Sequence, residues 1–185
     1  MFKSAKEIAY TGITVALLIA GQLALSAVSG VEIVTAIFAL YCLVFGVIRG
    51  IVVATAFSLV RCFIFGFVPQ VILLYIIYYN LFAVVIGMVG NLLRDKNELL
   101  KIIAVTALSV ALTATFTVID NLLNIWLFNL SAVAIKIYVA QSIPVAITQM
   151  ICSAITVPLF YYPLKKVFSL AKQTVKGSFS NKSTK

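Results

Sequence analysis

The sequence predicts an all-α integral membrane protein, a bundle of six transmembrane helices with both termini cytoplasmic. Three observations predict it. Of 185 residues, 63% are hydrophobic and only 10% charged, whereas soluble domains carry about 25% charged residues. The apolar residues fall into runs near the about 20 residues that a bilayer-spanning helix needs. The lysines and arginines sit at the ends of those runs.

The runs divide at Ser29–Glu32, Arg49–Gly50, Gly66–Gln70, Arg94–Lys101 and a longer, weaker break around Asn129–Lys136. Six spans follow: Ile8–Val28, Ile33–Ile48, Ile51–Phe65, Val71–Leu93, Ile102–Leu127 and Ile137–Leu164, the second and third short. With both ends inside, the cytoplasmic segments hold Lys3, Lys6, Arg49, Arg94, Lys96, Lys101, Lys165, Lys166, Lys172, Lys176, Lys182 and Lys185, and the outer loops hold only Lys136. This asymmetry obeys the positive-inside rule, and an odd number of spans spoils it. Residues 1–168 form the membrane domain. Residues 169–185 are basic and rich in Ser, Lys, Thr and Asn, with little to bury, and are expected to be a disordered cytoplasmic tail. The first run resembles a signal peptide in its basic start and its Ala27-Val28-Ser29 end, but its apolar part is longer than the usual 7–15 residues or so, so it reads as a retained helix.

Several function classes are excluded. A net charge of +9 invites nucleic acid, but binding it requires a clustered basic face on a wettable surface, and here the charges flank hydrocarbon segments. No phosphate-binding glycine loop is present, so any ATP is used by partner subunits. Histidine is absent, and Cys42, Cys62 and Cys152 stand singly in apolar runs, which leaves neither a metal site nor a disulfide framework. Neither a hydrolase motif nor a close pair of carboxylates appears, so the chain is not expected to be an enzyme.

The first helix is two-sided. At about 100° per residue, Ala5, Ala9, Gly12, Ala16 and Ala20 share one face, with Thr11, Gln22, Ser26 and Ser29 roughly opposite. Small residues at four-residue spacing let another helix approach closely. Packing within this bundle and docking onto another membrane subunit both satisfy that pattern.

Charged side chains inside a bilayer are costly and usually face a partner or a wet cavity. Arg61 lies about 18 Å beyond Arg49 and Asp120 about 28 Å beyond Lys101 at the helical rise, and Glu32 opens the second helix. All three fall at one level near the outer surface. Either Arg61 and a carboxylate only hold helices together, or the group lines a site. The second reading gains from a polar stripe on the fifth helix (Thr106, Ser109, Thr113, Thr117, Asp120, Asn124, with Asn121 at its edge). A further stripe on the sixth carries Gln141, Thr148, Gln149, Cys152 and Thr156, interrupted by Pro144. Tyr75, Tyr78 and Tyr79 make one aromatic face of the fourth helix, with Asn80 just beyond, about 15 Å below Val71 and too deep for an interfacial belt. Ligand contact and belt or core packing both remain open for these tyrosines. The candidate ligand set is therefore Glu32, Arg61, Tyr75, Tyr78, Tyr79, Asn80, Asp120, Asn121, Asn124 and Gln141.

These residues together resemble a family, the substrate-binding S components of energy-coupling-factor (ECF) vitamin transporters. The resemblance covers about Lys6 to Leu164. It is carried by the basic start and the small-residue helix (Ala5, Ala9, Gly12, Ala16, Ala20), Val31-Glu32-Ile33-Val34-Thr35, Leu43-Val44-Phe45-Gly46, Gly66-Phe67-Val68-Pro69 and Tyr78-Tyr79-Asn80. It implies a six-helix protein of the prokaryotic plasma membrane that captures a vitamin or related micronutrient outside. Such a protein associates with a transmembrane coupling subunit and two cytoplasmic ATPases, and delivers its cargo by toppling. The small face of the first helix then matches the family's docking surface, and the polar cluster its binding pocket. No motif chooses among cobalamin, riboflavin, folate or a queuosine-like precursor. The rival classes are a stand-alone secondary transporter or channel for a small polar or aromatic solute, and a scaffold protein; no internal repeat supports the former.

Overall fold

The computed structural model describes residues 5–27 and 33–180, with side chains to residue 174. The described chain is helical: α1 (Ala5–Leu25), α2 (Val34–Phe45), α3 (Val47–Phe65), α4 (Pro69–Leu92), α5 (Glu98–Phe128) and α6 (Ala132–Ser180). Five of these are long and apolar enough to cross a membrane, and α2 is a shorter apolar helix. Large apolar side chains such as Phe63 (77% exposed) and Trp126 (72%) stand on the outside, as hydrocarbon surroundings permit and water does not.

The helices alternate in direction. At one end Arg49 at the start of α3 pairs with the buried Glu7 of α1, Glu98 opening α5 pairs with Lys101 and with Lys165 of α6, and the Lys172 ammonium donates to the Val44 carbonyl at the end of α2. The ends of five helices thereby meet, and Gly90 at the end of α4, with Arg94 just beyond it, borders the same hollow as Val44 and Lys172. Cations beside the last carbonyls of α2 also complement that helix's dipole.

The core is built around α2. Every residue from Val34 to Cys42 is buried, the pattern of a helix apolar all round. It packs on α4 and α6 and also touches α1, α3 and α5. Phe38 meets Tyr79 and Phe82 of α4 at ring-centroid distances of 5.4 and 5.6 Å, and Tyr41 meets Phe168 of α6 at 5.6 Å. Twelve residues rise about 18 Å, short of the about 30 Å hydrocarbon thickness.

Three sequence expectations are corrected here. The break between the second and third helices lies at Gly46, not Arg49–Gly50: Gly46 takes φ 83°, which costs glycine nothing. Gly50 is instead a helical residue at a close contact, where a Cβ would stand 2.9 Å from the Cys42 sulfur and 3.1 Å from the Ala83 Cβ. The tail expected to be disordered from residue 169 is helical to Ser180. Phe168 and Ala171 are buried and Lys172 is anchored to α2, so this segment has packing that its composition conceals. Residues 181–185 lie outside the described residues. The break around Asn129–Lys136 is also shorter than expected, since Asn129 ends α5 in the left-handed conformation and α6 begins at Ala132.

A close helix approach is made by Gly87 of α4 against α3, where an added Cβ would lie 2.7 Å from the Val47 nitrogen and 2.8 Å from its Cα. Backbone cannot swing aside. Gly87→Ala should therefore destabilise the purified protein by about 1–3 kcal/mol, the usual cost of overpacking. Gly12→Ala, with nothing within 4 Å, should leave stability unchanged or raise it by about 0.5–1 kcal/mol. Thermal unfolding in detergent measures both, and equal midpoints for the two variants would contradict the packing described.

Candidate functional site

The end opposite the basic one is polar, and its centre is Asp120. Tyr138 of α6 donates its hydroxyl to Asp120 Oδ2 at 2.7 Å, while Gln70 of α4 and Asn124 donate side-chain N–H to Oδ1 at 3.3 and 3.2 Å. Asn124, buried, also donates to the Tyr138 oxygen at 2.6 Å, and Asn121 donates to Ser142 at 3.1 Å. The polar stripes of α5 and α6 thus face one another. These side chains partner one another, apart from Asn121 Oδ1, which is buried without a hydrogen-bond partner, and an unpaired polar group there costs about 1–3 kcal/mol.

Counting from Asn121 and Ser142 toward the basic end, twelve residues along α5 and eleven along α6, reaches Ser109 and Ser153. The same register brings Glu98 to Lys165. Both serines are fully buried, and their hydroxyls, with that of Thr106, lack a hydrogen-bond partner. The seam between α5 and α6 is polar through most of its length.

Beside Asp120 stands an aromatic wall from α4. Tyr78 and Tyr79 are buried; Tyr75 tilts against Tyr79 at 5.3 Å, and Phe116 of α5 meets Tyr78 edge-on at 4.9 Å. Arg61 of α3 lies over Tyr75, its guanidinium carbon 4.0 Å from the ring centroid, and 4.7 Å from that of Phe65. The Tyr75 hydroxyl accepts from Gln22 of α1 at 2.8 Å. Arg61 Nε and Gln22 Oε1 are buried without a hydrogen-bond partner. Among the described residues neither Arg61 nor Asp120 belongs to an ion pair. The two are therefore not paired with each other, and stacking on tyrosine is what holds the guanidinium.

Two cavities lie in this wall. The larger, about 230 Å³, is lined by Phe116, Thr117, Asp120, Tyr138, Gln141 and Gln149, among others. The smaller, about 90 Å³, is lined by Tyr75, Tyr78, Tyr79, Thr113, Phe116 and Gln149.

Of the residues singled out in sequence, Tyr75, Tyr78, Tyr79, Asp120 and Gln141 line cavities, while Asn121, Asn124 and Arg61 support that lining. Asn80 is turned elsewhere: it donates to the Ile76 carbonyl at 2.8 Å and accepts from Thr55 of α3 at 3.3 Å, so it ties α3 to α4. Glu32 lies outside the described residues. Sequence reasoning missed Tyr138, although it sits three and four residues before Gln141 and Ser142 and so on their face. It also missed Phe116, four residues before Asp120, because an apolar residue on a polar stripe carries no polar signal.

The small face of α1 is exposed at Ala5, Ala9, Gly12, Ala16 and Ala20, and Gly12, Ala16 and Ala20 line an apolar groove of about 630 Å³ with Ala56, Val60 and Ile64 of α3. Thr11 borders that groove rather than standing opposite it, and donates to the Glu7 carbonyl. Compared with protein-family models, with curated proteins and with solved structures, the chain returns no significant match.

Tyr138→Phe removes one hydroxyl and leaves Asp120 Oδ2 without its donor. A loss of about 0.5–1.5 kcal/mol is expected, the net worth of one hydrogen bond, since Asp120 is half-buried. Thermal unfolding of the variant measures it; an unchanged midpoint would show that the Asp120 cluster does not hold α5 to α6.

Proposed function

We propose that this chain is the substrate-capture (S) subunit of an ECF-type ABC importer. In this reading it has six spans and cytoplasmic termini in a prokaryotic plasma membrane. It binds a vitamin or related micronutrient at the extracellular side and passes it inward with a transmembrane coupling subunit and two ATPases. The observation that carries the reading is the Asp120 cluster beside the tyrosine wall, with cavities between them, at the end of the bundle opposite the basic one. The positive-inside rule makes the basic end cytoplasmic and hence turns the cavities outward. Aromatic walls with a few placed polar groups are the usual build of small-molecule sites.

The α1 groove supports the other half of the reading. Its alanines and Gly12 are not consumed by packing within the bundle. In lipid, small residues are what allow a second helix to approach closely. The coupling subunit is the occupant that the family resemblance supplies.

Two experiments test the two halves. Native mass spectrometry of the gently purified protein should detect a co-purifying small molecule. Arg61→Ala and Asp120→Asn should each weaken its retention by about 1–3 kcal/mol, as for lost buried hydrogen bonds; retention unchanged in both variants would return these charges to a structural role. Ala16→Trp should leave ligand retention intact while abolishing co-purification with the coupling subunit and uptake into vesicles, because the indole holds a neighbouring helix off the groove. Loss of ligand with assembly preserved would reverse the two faces, and concentrative uptake by the chain alone on an ion gradient would establish the secondary transporter instead.

A further inference from the structure

Phe116 and Gln149 line both cavities. They are therefore the partition between a space bordered by Asp120 and one backed by three tyrosines. Neither space reaches the about 300 Å³ at which small-molecule pockets begin; joined, they exceed it. Phe116 is half-buried and touches Tyr78 and Tyr75 edge-on, at 4.9 and 5.9 Å. Rotating its ring sacrifices two aromatic contacts and no hydrogen bond.

Gln149 is half-buried, and its amide has no hydrogen-bond partner among the described residues. Gln22 and Gln70, by contrast, each donate across helices. A glutamine amide offers an acceptor and two donors in one plane, the complement of a group with a carbonyl and an N–H side by side. The tyrosine wall and Phe116 favour a flat ring. Asp120 lines the larger cavity without an ion-pair partner among the described residues, so an anionic group there meets repulsion.

We infer that Phe116 and Gln149 form a movable partition, and that Gln149 selects a flat, uncharged nitrogen heterocycle by pairing with a cyclic-amide edge. The inference rests on the capture function proposed above. The ring seats against Tyr75, Tyr78 and Tyr79 once Phe116 turns, and the amide edge meets Gln149 at the former partition.

Lumichrome, a flat tricycle with cyclic-amide edges, and phenazine, a flat tricycle with none, make a matched pair of probes. Binding of each to the purified full chain in detergent is followed by equilibrium dialysis. The protein should hold lumichrome at least about tenfold more tightly than phenazine, and Gln149→Leu should remove about tenfold of lumichrome affinity, as for one or two lost hydrogen bonds, without changing that for phenazine. Gln149→Glu, close to isosteric but without the N–H donors, should weaken lumichrome as well and decides the matter if the leucine variant fails to fold. Equal affinity for the two probes, or indifference of lumichrome binding to both substitutions, would overturn the role of Gln149. Binding of neither probe overturns the ligand class. In either case a small molecule found on the purified protein would leave the capture function standing.

Discussion

Lipid would accept an apolar surface, yet α2, only twelve residues long and short of the hydrocarbon thickness, is buried by its neighbours, and the rest of this structure is arranged around it. Gly46 cuts α2 to twelve residues by taking a positive φ, and the other five helices close around it. Because α2 presents Phe38 toward α4, the α4 face bearing Tyr79 and Phe82 is fixed inward. Tyr75 and Tyr78 then fall beside α5, one turn and one residue away on the same helix. The aromatic wall of the candidate site is thus the continuation of the core, which explains why Tyr78 and Tyr79 are both buried residues and cavity-lining ones.

The second constraint is that α5 and α6 carry polar stripes in a chain with few other polar residues. Two such stripes have one economical arrangement, against each other, since each hydroxyl or carboxylate turned to lipid would lose its hydrogen bonds. The antiparallel register joins Asp120, Asn121, Asn124, Tyr138 and Ser142 at the outer end, with Asn121 Oδ1 alone among them buried without a partner. It leaves Thr106, Ser109 and Ser153 without partners farther along. The seam is consequently tightest in hydrogen bonds at the end where the cavities lie, and loosest in them nearer the basic end.

Much of this was legible in the sequence. The helix positions followed from the length of the apolar runs, and the polar and aromatic faces from helical periodicity, because both depend only on spacing. What spacing does not carry is the choice between equivalent residues. Gly46 and Gly50 look alike in sequence, yet one breaks the chain and the other fits under Cys42 and Ala83. Asn80 follows the tyrosines directly in sequence, but it is held by Thr55. Phe116 and Tyr138 become site residues only when α5 meets α4 and α6, a tertiary fact. The helical extension beyond residue 168 was hidden because polar composition says nothing about Phe168 and Ala171 finding a place in the core.

α1 is the element on which the two candidate surfaces meet. Gly12, Ala16 and Ala20 look out into the groove shared with α3, while Gln22, within one turn of Ala20, reaches inward to the Tyr75 hydroxyl. Tyr75 in turn carries Arg61 on its ring and lines the smaller cavity. A helix moves as a rigid rod over such a distance, so a partner that shifts α1 by seating in the groove also shifts the donor that orients Tyr75. Coupling between two sites requires a differential contact in each state, and the Gln22 to Tyr75 hydrogen bond is a contact that displacement of α1 makes or breaks. Under the proposed function, Gln22 is one side chain through which the helix that carries the groove also touches the lining of the smaller cavity.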